Sequence, residues 1–488
     1  MKHMIPSILC GICALLIASC GDSTNDVSTD TKALQSEHVE TEITTLDSLD
    51  PTLDFGGETV TFIVDQDMYI PDFNAEQTGD IVEDALYKRR LAVQERLNVV
   101  LDFFWSPGMY ANREEYQSYV RNSVMAGDSA YDIAAAYSLS IIQLGTDGYL
   151  LNIANLPYID LSQPWWSDTL IDNLSCDGNL YFITGDISTN TIGTSFSVFF
   201  NKDLVASYQL ENPYELVDSG KWTIEKMFDM TKDIYQDLNE NGQRDQTDLY
   251  GLHAQNTSFD NLYFSAGMNI VVSDKEHGMT VSPDYSSEKM ADLVTMLCNA
   301  FNHTDGIHWG IEDNREVVTN FVNENVVFLM SGMDVASTNL RSVDFDYGIV
   351  PTPKWDEAQK DYISTCTYTS AFFGIPLDVT NPEMSAAVIE VMAIEGYYNV
   401  APAFFETALK VKYSTDDDSA RMFDIIRAST SYDFGRVFSS AALNGIPGTM
   451  RSMITGDNAN WMSTYESKIK QLDELIVKLV ENLSGDES

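Results

Sequence analysis

Hydrophobic and polar positions along this chain follow two different periods. Glu58 to Val64 alternates apolar and β-branched polar residues and stops at Asp65, Gln66 and Asp67, which predicts a strand followed by a polar loop. Ile81 to Leu97 spaces Ile81, Val82, Ala85, Leu86, Leu91 and Val93 among Arg and Glu, which predicts an amphipathic helix. Asn98 to Trp105 predicts a second strand, Arg113 to Ala126 a second helix and Tyr131 to Ala136 a third strand. That order belongs to an α/β layer, in which the loops at the carboxyl ends of the strands are open to a ligand.

The periods continue further along. Ser197 to Asn201 predicts a strand, and Thr223 is placed to cap a helix. Its stripe, Ile224, Met227, Phe228, Thr231, Ile234, Tyr235 and Leu238, runs straight into the polar stretch Asp237 to Asp248. Leu249 to Leu252 predicts a short strand. From Asn381 onward the pattern is mostly helical and ends in a long amphipathic helix, Trp461 to Leu483.

Length changes this picture from one layer to two. With 488 residues, 44% of them hydrophobic, the chain exceeds the size at which one core stops growing, about 250 to 300 residues, so two lobes are expected. Charge narrows the partners. The 74 acidic and 28 basic residues give a net charge of -46, which repels phosphate backbones, anionic head groups and polyanionic substrates, so nucleic acid is excluded as a partner.

Lys2 and His3 form a polar start, and the apolar run Met4 to Ala18 is short for a membrane span, which predicts a signal peptide over residues 1–19. Leu16-Ile-Ala-Ser-Cys20 resembles the bacterial lipobox, which implies acylation of Cys20 and contact with the membrane through that lipid anchor only. Residues 20–51 are rich in Ser, Thr, Asp and Glu and have no aromatic residue, the composition of a flexible tether. Cys176, Cys298 and Cys366 permit one disulfide or none and are expected as small buried residues.

Several blocks then fall into a recognisable order. Asp132-Ile follows the Gly127 to Tyr131 turn. It precedes Gly148 to Tyr158, the Trp165-Trp166 pair, Gly178 to Tyr181, Gly185-Asp-Ile187, Phe199 to Leu204, Gly220 to Thr223, Asp248 to Gly251 and Tyr347 to Pro353. Together, behind a lipobox, they resemble the extracellular solute-binding proteins of ABC importers, in the large family that includes the maltose-binding proteins. The resemblance spans the chain after the tether and implies an α/β periplasmic-binding-protein-like fold of type II, with two discontinuous lobes, a multi-strand hinge and a ligand cleft between them. It implies a first lobe of residues 52–196 and 331–390 and a second of 197–330 and 391–488, with crossings near Thr194 to Asn201, Val326 to Ser331 and Asn381 to Gly396. The function it implies is extracytoplasmic capture of a small solute, a sugar or oligosaccharide above others, by a monomer that delivers it to an ABC transporter permease.

A sugar site needs aromatic faces and planar polar groups. In the family the loop after the first strand supplies polar contacts, here Asp65, Gln66 and Asp67, and the loop after the third supplies more, here Tyr137 and Ser138. Where the family carries a tryptophan after a turn, this chain has Ser331-Gly-Met-Asp334, so Met333 would offer an apolar surface and Asp334 a hydroxyl acceptor. Trp165, Trp166 and Trp309 are candidate walls. On extended backbone two adjacent tryptophans point opposite ways, so at least one of the pair is expected in the core.

Asp237 to Asp248 has the donor order of an EF-hand calcium loop. Asp237, Asn239, Asn241, Gln243 (through its carbonyl), Asp245 and Asp248 fall at the ligand positions and Gly242 at the turn. Asp248 replaces the usual glutamate and a strand follows instead of a helix, so a structural Ca2+ is expected rather than a sensor. The alternative is a polar turn formed without any ion. Catalysis finds no comparable signal. The sequence has no nucleophile elbow, phosphate loop or zinc-protease motif, and carboxylate pairs for glycoside hydrolysis are uninformative among 74 acids. A glycoside-acting enzyme and a calcium-dependent surface adhesin remain as the competing functions.

Overall fold

The computed structural model describes residues 49–68, 72–73, 76–274, 278–310, 316–405 and 417–485. Cys20, the signal peptide and most of the tether lie outside the described residues.

Fourteen strands are described: β1 (Glu58–Asp65), β2 (Val99–Ser106), β3 (Ile133–Tyr137), β4 (Phe196–Asn201), β5 (Tyr235–Gln236), β6 (Leu249–Gln255), β7 (Val271–Asp274), β8 (Gly278–Val281), β9 (Ile307–Gly310), β10 (Val326–Gly332), β11 (Tyr347–Pro351), β12 (Ser364–Thr365), β13 (Ala371–Gly374) and β14 (Thr430–Ser431). Two sheets carry the fold. The first has the order β13-β3-β1-β2, with β1 parallel to β2 and β3 and with β13 antiparallel to β3. The second has the order β11-β4-β10-β6-β5, and β9 also pairs with β6. β3, β4, β6, β10 and β11 are buried along their whole length, as strands covered on both faces should be.

The expected helices Ile81–Leu97 and Arg113–Ala126 form with those bounds. Asp80 caps the first by accepting from the Val82 and Glu83 amides, and Gly127, at φ 66°, ends the second. The buried face of the first helix differs from the apolar stripe. Ile81 and Leu91 are exposed, while Arg89 is fully buried and donates to the carbonyls of Ile187 (2.6 Å) and Asp72 (2.8 Å). Those fixed backbone acceptors make the guanidinium tolerable in the interior.

Three expectations need correction. The helix capped by Thr223 stops at Thr231, and Tyr235–Gln236 pairs antiparallel with Leu249–Tyr250, so Asp237 to Asp248 is a hairpin connection and not a helix extension. Thr231 ends the helix because its carbonyl faces two glycines: a Cβ on Gly251 or Gly306 would sit 2.3 or 2.1 Å from it, so a strand and a loop approach where the helix would have continued. Next, β11 lies in the second sheet against β4, so the chain rejoins the first sheet at Ala371 and not at residue 331. Finally, Asn381 to Gly396 is a helix, Pro382–Glu395, packed on Ile81–Leu97 of the first lobe, whereas the later helix Asp417–Ala428 packs on β11 of the second. The chain changes lobe between those two helices.

The connections between lobes gather into a narrow ribbon. Ser195 bridges Cys366, the Thr367 amide donates to Thr194 at 2.8 Å, and β12 runs parallel to β14. Cys176, Cys298 and Cys366 are free and buried.

Candidate ligand-binding cleft

The carboxyl ends of β1 and β3 open toward this ribbon. Asp65, the last residue of β1, is 5% exposed, and its Oδ1 accepts from the Asp67 amide at 3.0 Å while Oδ2 is buried without a partner. Burial pushes its carboxyl up to about 6. The chain can approach so closely because residue 108 is glycine: a Cβ there would lie 2.7 Å from the Asp65 carboxyl carbon. Gln66 and Asp67 are exposed beyond the strand end. Tyr137 and Ser138 are buried at the end of β3, where Ser138 donates its hydroxyl to the Tyr368 carbonyl (2.7 Å) and its amide to that of Ser370 (2.9 Å). The turn Thr367 to Ser370 is thereby fixed against the first lobe.

Tyr368 leads to residues that no local sequence pattern singles out. The Arg436 guanidinium sits over its ring at 4.3 Å. Arg436 belongs to a short helix capped by Asp433, whose Oδ1 accepts from the Arg436 amide (2.8 Å) and whose Oδ2 accepts from the amides of Ile270 (2.9 Å) and Val271 (3.3 Å). Beside it, Asp260 is gripped by Arg451, Nε to Oδ1 at 3.2 Å and Nη2 to Oδ2. Asp260, Tyr263, Tyr368, Arg436 and Ser439 line a small cavity of about 10 Å³, room for one water. Asp260 and Arg451 stand 191 positions apart, so no local pattern could have paired them.

The remaining expected residues divide. Met333 and Asp334 are buried at the end of β10, tied to the ribbon by the Met333 amide on the Ser195 carbonyl (2.9 Å), and Asp334 approaches Thr367 across Gly332. Trp309 is half-buried and meets Phe259, the neighbour of Asp260, edge to face at 6.1 Å. Trp165 and Trp166 stand apart from this group. They are 1% and 4% exposed, and their indole N–H groups donate to the two oxygens of Glu390, at 3.0 and 3.1 Å. They border a separate cavity of about 480 Å³ whose wall includes Tyr397, Tyr432 and the Arg427–Asp186 ion pair. Burial outweighs Arg427 at Asp186 and pushes that carboxyl up to about 6.

In the Asp237 to Asp248 hairpin, Asp237 Oδ2 accepts from the Gly242 amide (2.8 Å), Asn239 Oδ1 from Asn241 (3.0 Å) and Asn241 Oδ1 from Gln243 (2.6 Å). Gly242 has φ 71°, and Asp237 Oδ1 is buried without a partner. These features fit an ion. Asp248 fits less well: it is fully buried, and its oxygens accept from the Tyr235 hydroxyl (3.0 Å) and the amides of Asp245 (3.1 Å) and Leu238 (3.2 Å). Hydrogen bonds from Thr247, first its hydroxyl and then its amide, hold the half-buried Asp245 carboxyl below its ordinary value. Among the described residues no three His, Cys, Asp or Glu side chains converge as a metal cage.

No family model and no curated protein matches the sequence. Solved structures do match the fold. The cyclic α-maltosyl-1,6-maltose binding protein of Arthrobacter globiformis superposes with a TM-score of 0.59 at 14% identity, over 88% of this chain and 100% of that one. An ABC substrate-binding protein of Listeria monocytogenes, in complex with cycloalternan, gives 0.55 at 13% identity over 86% and 99%. A maltose/maltodextrin-binding domain of Bdellovibrio bacteriovorus, bound to maltotriose, gives 0.53 at 13% over 86% and 100%. The two sheets, the ribbon between them and the cleft at the strand ends are therefore the two-lobed α/β fold of the ABC-importer solute-binding proteins.

Proposed function

We propose that this protein captures a sugar or oligosaccharide in the cleft around Tyr368 and hands it to the permease of an ABC importer, working as a monomer held outside the cytoplasm by a lipid on Cys20. The observation that carries the reading is the fold itself: it is shared over nearly the full length of binding proteins described with cycloalternan, maltotriose and cyclic α-maltosyl-1,6-maltose. The cleft chemistry is in keeping with it, since Tyr368 offers a ring and Asp65, Asp260 and Arg436 offer hydrogen-bonding groups of the kind that read hydroxyls. A Ca2+ ion held by Asp237, Asn239, Asn241, the Gln243 carbonyl and Asp245 would stiffen the hairpin of the second lobe, with Asp248 turning outward to join it.

Thermal melting of the full chain against a saccharide panel, with the sugars analysed afterwards, tests the reading. A sugar that raises the melting temperature and is recovered intact is expected. Hydrolysis of a glycoside would establish the enzyme instead. Tyr368→Ala is expected to abolish the rise, whereas Tyr397→Ala, in the larger cavity, should leave it. For the anchor, Cys20→Ser should move the protein from the membrane fraction to the soluble one.

A further inference from the structure

Arg436 is 5% exposed, yet its Nε and Nη2 are buried with no hydrogen-bond partner. Those two nitrogens form one edge of the guanidinium, the edge whose parallel N–H groups grip both oxygens of a single carboxylate. In the same cleft Arg451 uses that edge on Asp260, Nε on one oxygen and Nη2 on the other. One arginine edge is therefore filled and its neighbour is left open beside the small cavity that both Asp260 and Arg436 line.

The nearby acid does not close the gap. Asp433 spends its oxygens on three backbone amides, those of Arg436, Ile270 and Val271, and leaves the guanidinium edge alone. A charged group with unmet donors in the interior is costly, so its partner is expected to arrive from outside. The Tyr368 ring below the guanidinium fixes its plane and leaves the edge free. Arg113, over the Tyr110 ring, reaches Ser440 at 3.5 Å, next to Ser439 of the cavity wall. Arg436 and, through Asp260, Arg451 thus stand at one small cavity in a chain with only 28 basic residues and a net charge of -46.

We propose, resting on the sugar-receptor reading, that Arg436 is a subsite for a carboxylate and that the ligand is an oligosaccharide carrying one uronic acid. A single acid suits the site, because the overall negative charge opposes a polyanion while one open arginine edge takes one carboxylate. The cavity of about 10 Å³ has room for no more than an oxygen or so of that group, and the sugar rings lie outside it in the cleft.

The test titrates the full chain calorimetrically with maltotriose, cellotriose and xylotriose, each paired with a counterpart bearing one uronate. The acid member of at least one pair is expected to bind about 100-fold more tightly than its neutral partner, and Arg436→Gln to remove that advantage. Arg436→Lys keeps the charge and loses the fork, so it should remove most of the advantage too while the fold, followed by circular dichroism, is retained. Should Arg436→Gln fail to fold, the lysine variant and the paired ligands on the parent protein still decide. If a neutral trisaccharide binds as tightly as its acid counterpart, the carboxylate subsite is wrong and the sugar receptor stands. If neither kind binds, both are wrong.

Discussion

Glu390 offers a quantitative test of how burial shapes this protein. The residue is 1% exposed in the Pro382–Glu395 helix and accepts the indole N–H groups of Trp165 and Trp166. Desolvation pushes its carboxyl from an ordinary 4.5 up to about 8, against the lowering effect of those same hydrogen bonds. Between these two values the folded protein holds a proton that the unfolded chain has released. Folding stability therefore falls as pH rises through that window, by at most about 1.4 kcal/mol per pH unit, and levels off above about pH 8.

Glu390→Gln removes the titration and leaves one indole N–H facing an amide NH2, a loss of about 1 to 3 kcal/mol at every pH. Relative to the parent, the variant should gain about 2 to 4 kcal/mol between pH 5 and pH 8, once relaxation of the site is allowed for. It is thus clearly less stable at pH 5, while at pH 8 its difference from the parent lies between about 1 kcal/mol less and about 3 kcal/mol more stable. Urea unfolding of both proteins at pH 5, 6.5 and 8 measures the difference, and the titrations of all other groups cancel. A stability difference that does not change with pH would refute the argument, since Glu390 would then be ionised in both states.

Other expectations follow from single sites. His253 and His308 are hydrogen-bonded to each other at 3.0 Å, and burial lowers both, His308 to about 4. The unfolded chain takes up protons first on acidification, so stability should be lost as pH falls from about 6.5 to 4, and His308→Phe, which keeps a ring against Tyr250, should shrink that acid limb in the same urea assay. Gly251→Ala places a methyl group 2.3 Å from the Thr231 carbonyl and should lower the unfolding free energy by more than about 2 kcal/mol, with Gly306→Ala similar. Calcium should raise the melting temperature of the parent, and Asp237→Ala should abolish the rise; no rise in the parent leaves the hairpin a simple turn.

Periodicity determined much of this protein without help. The helices Ile81–Leu97 and Arg113–Ala126 and the strands around them depend on local steps of two and 3.6 residues, on Asp80 as a cap and on Gly127 as a stop, all of which are written in neighbouring residues. Chain length was enough to indicate two lobes, and the order of short blocks to indicate the family resemblance. The same local logic overran Thr231, because what ends that helix is the approach of Gly251 and Gly306 from other parts of the chain. It named Trp165 and Trp166 as candidate walls with at least one in the core, but could not show that Glu390, 225 and 224 positions away, holds both indoles.

The cleft is where the tertiary structure decided most. That Asp65, Tyr137 and Ser138 stand at strand ends could be anticipated, because strand ends are a local property, whereas their part in a cleft was implied only by the family resemblance. Tyr368, Arg436, Asp260 and Arg451 could not, because an open guanidinium edge beside a filled one exists only after distant segments have been brought together. The sequence by itself determined which segments are regular and what each buries, since backbone geometry is set over a few residues. Only the packed chain decided which polar groups satisfy one another and which buried ones stay without a partner, since a hydrogen bond requires its two partners to be within about 3 Å of one another.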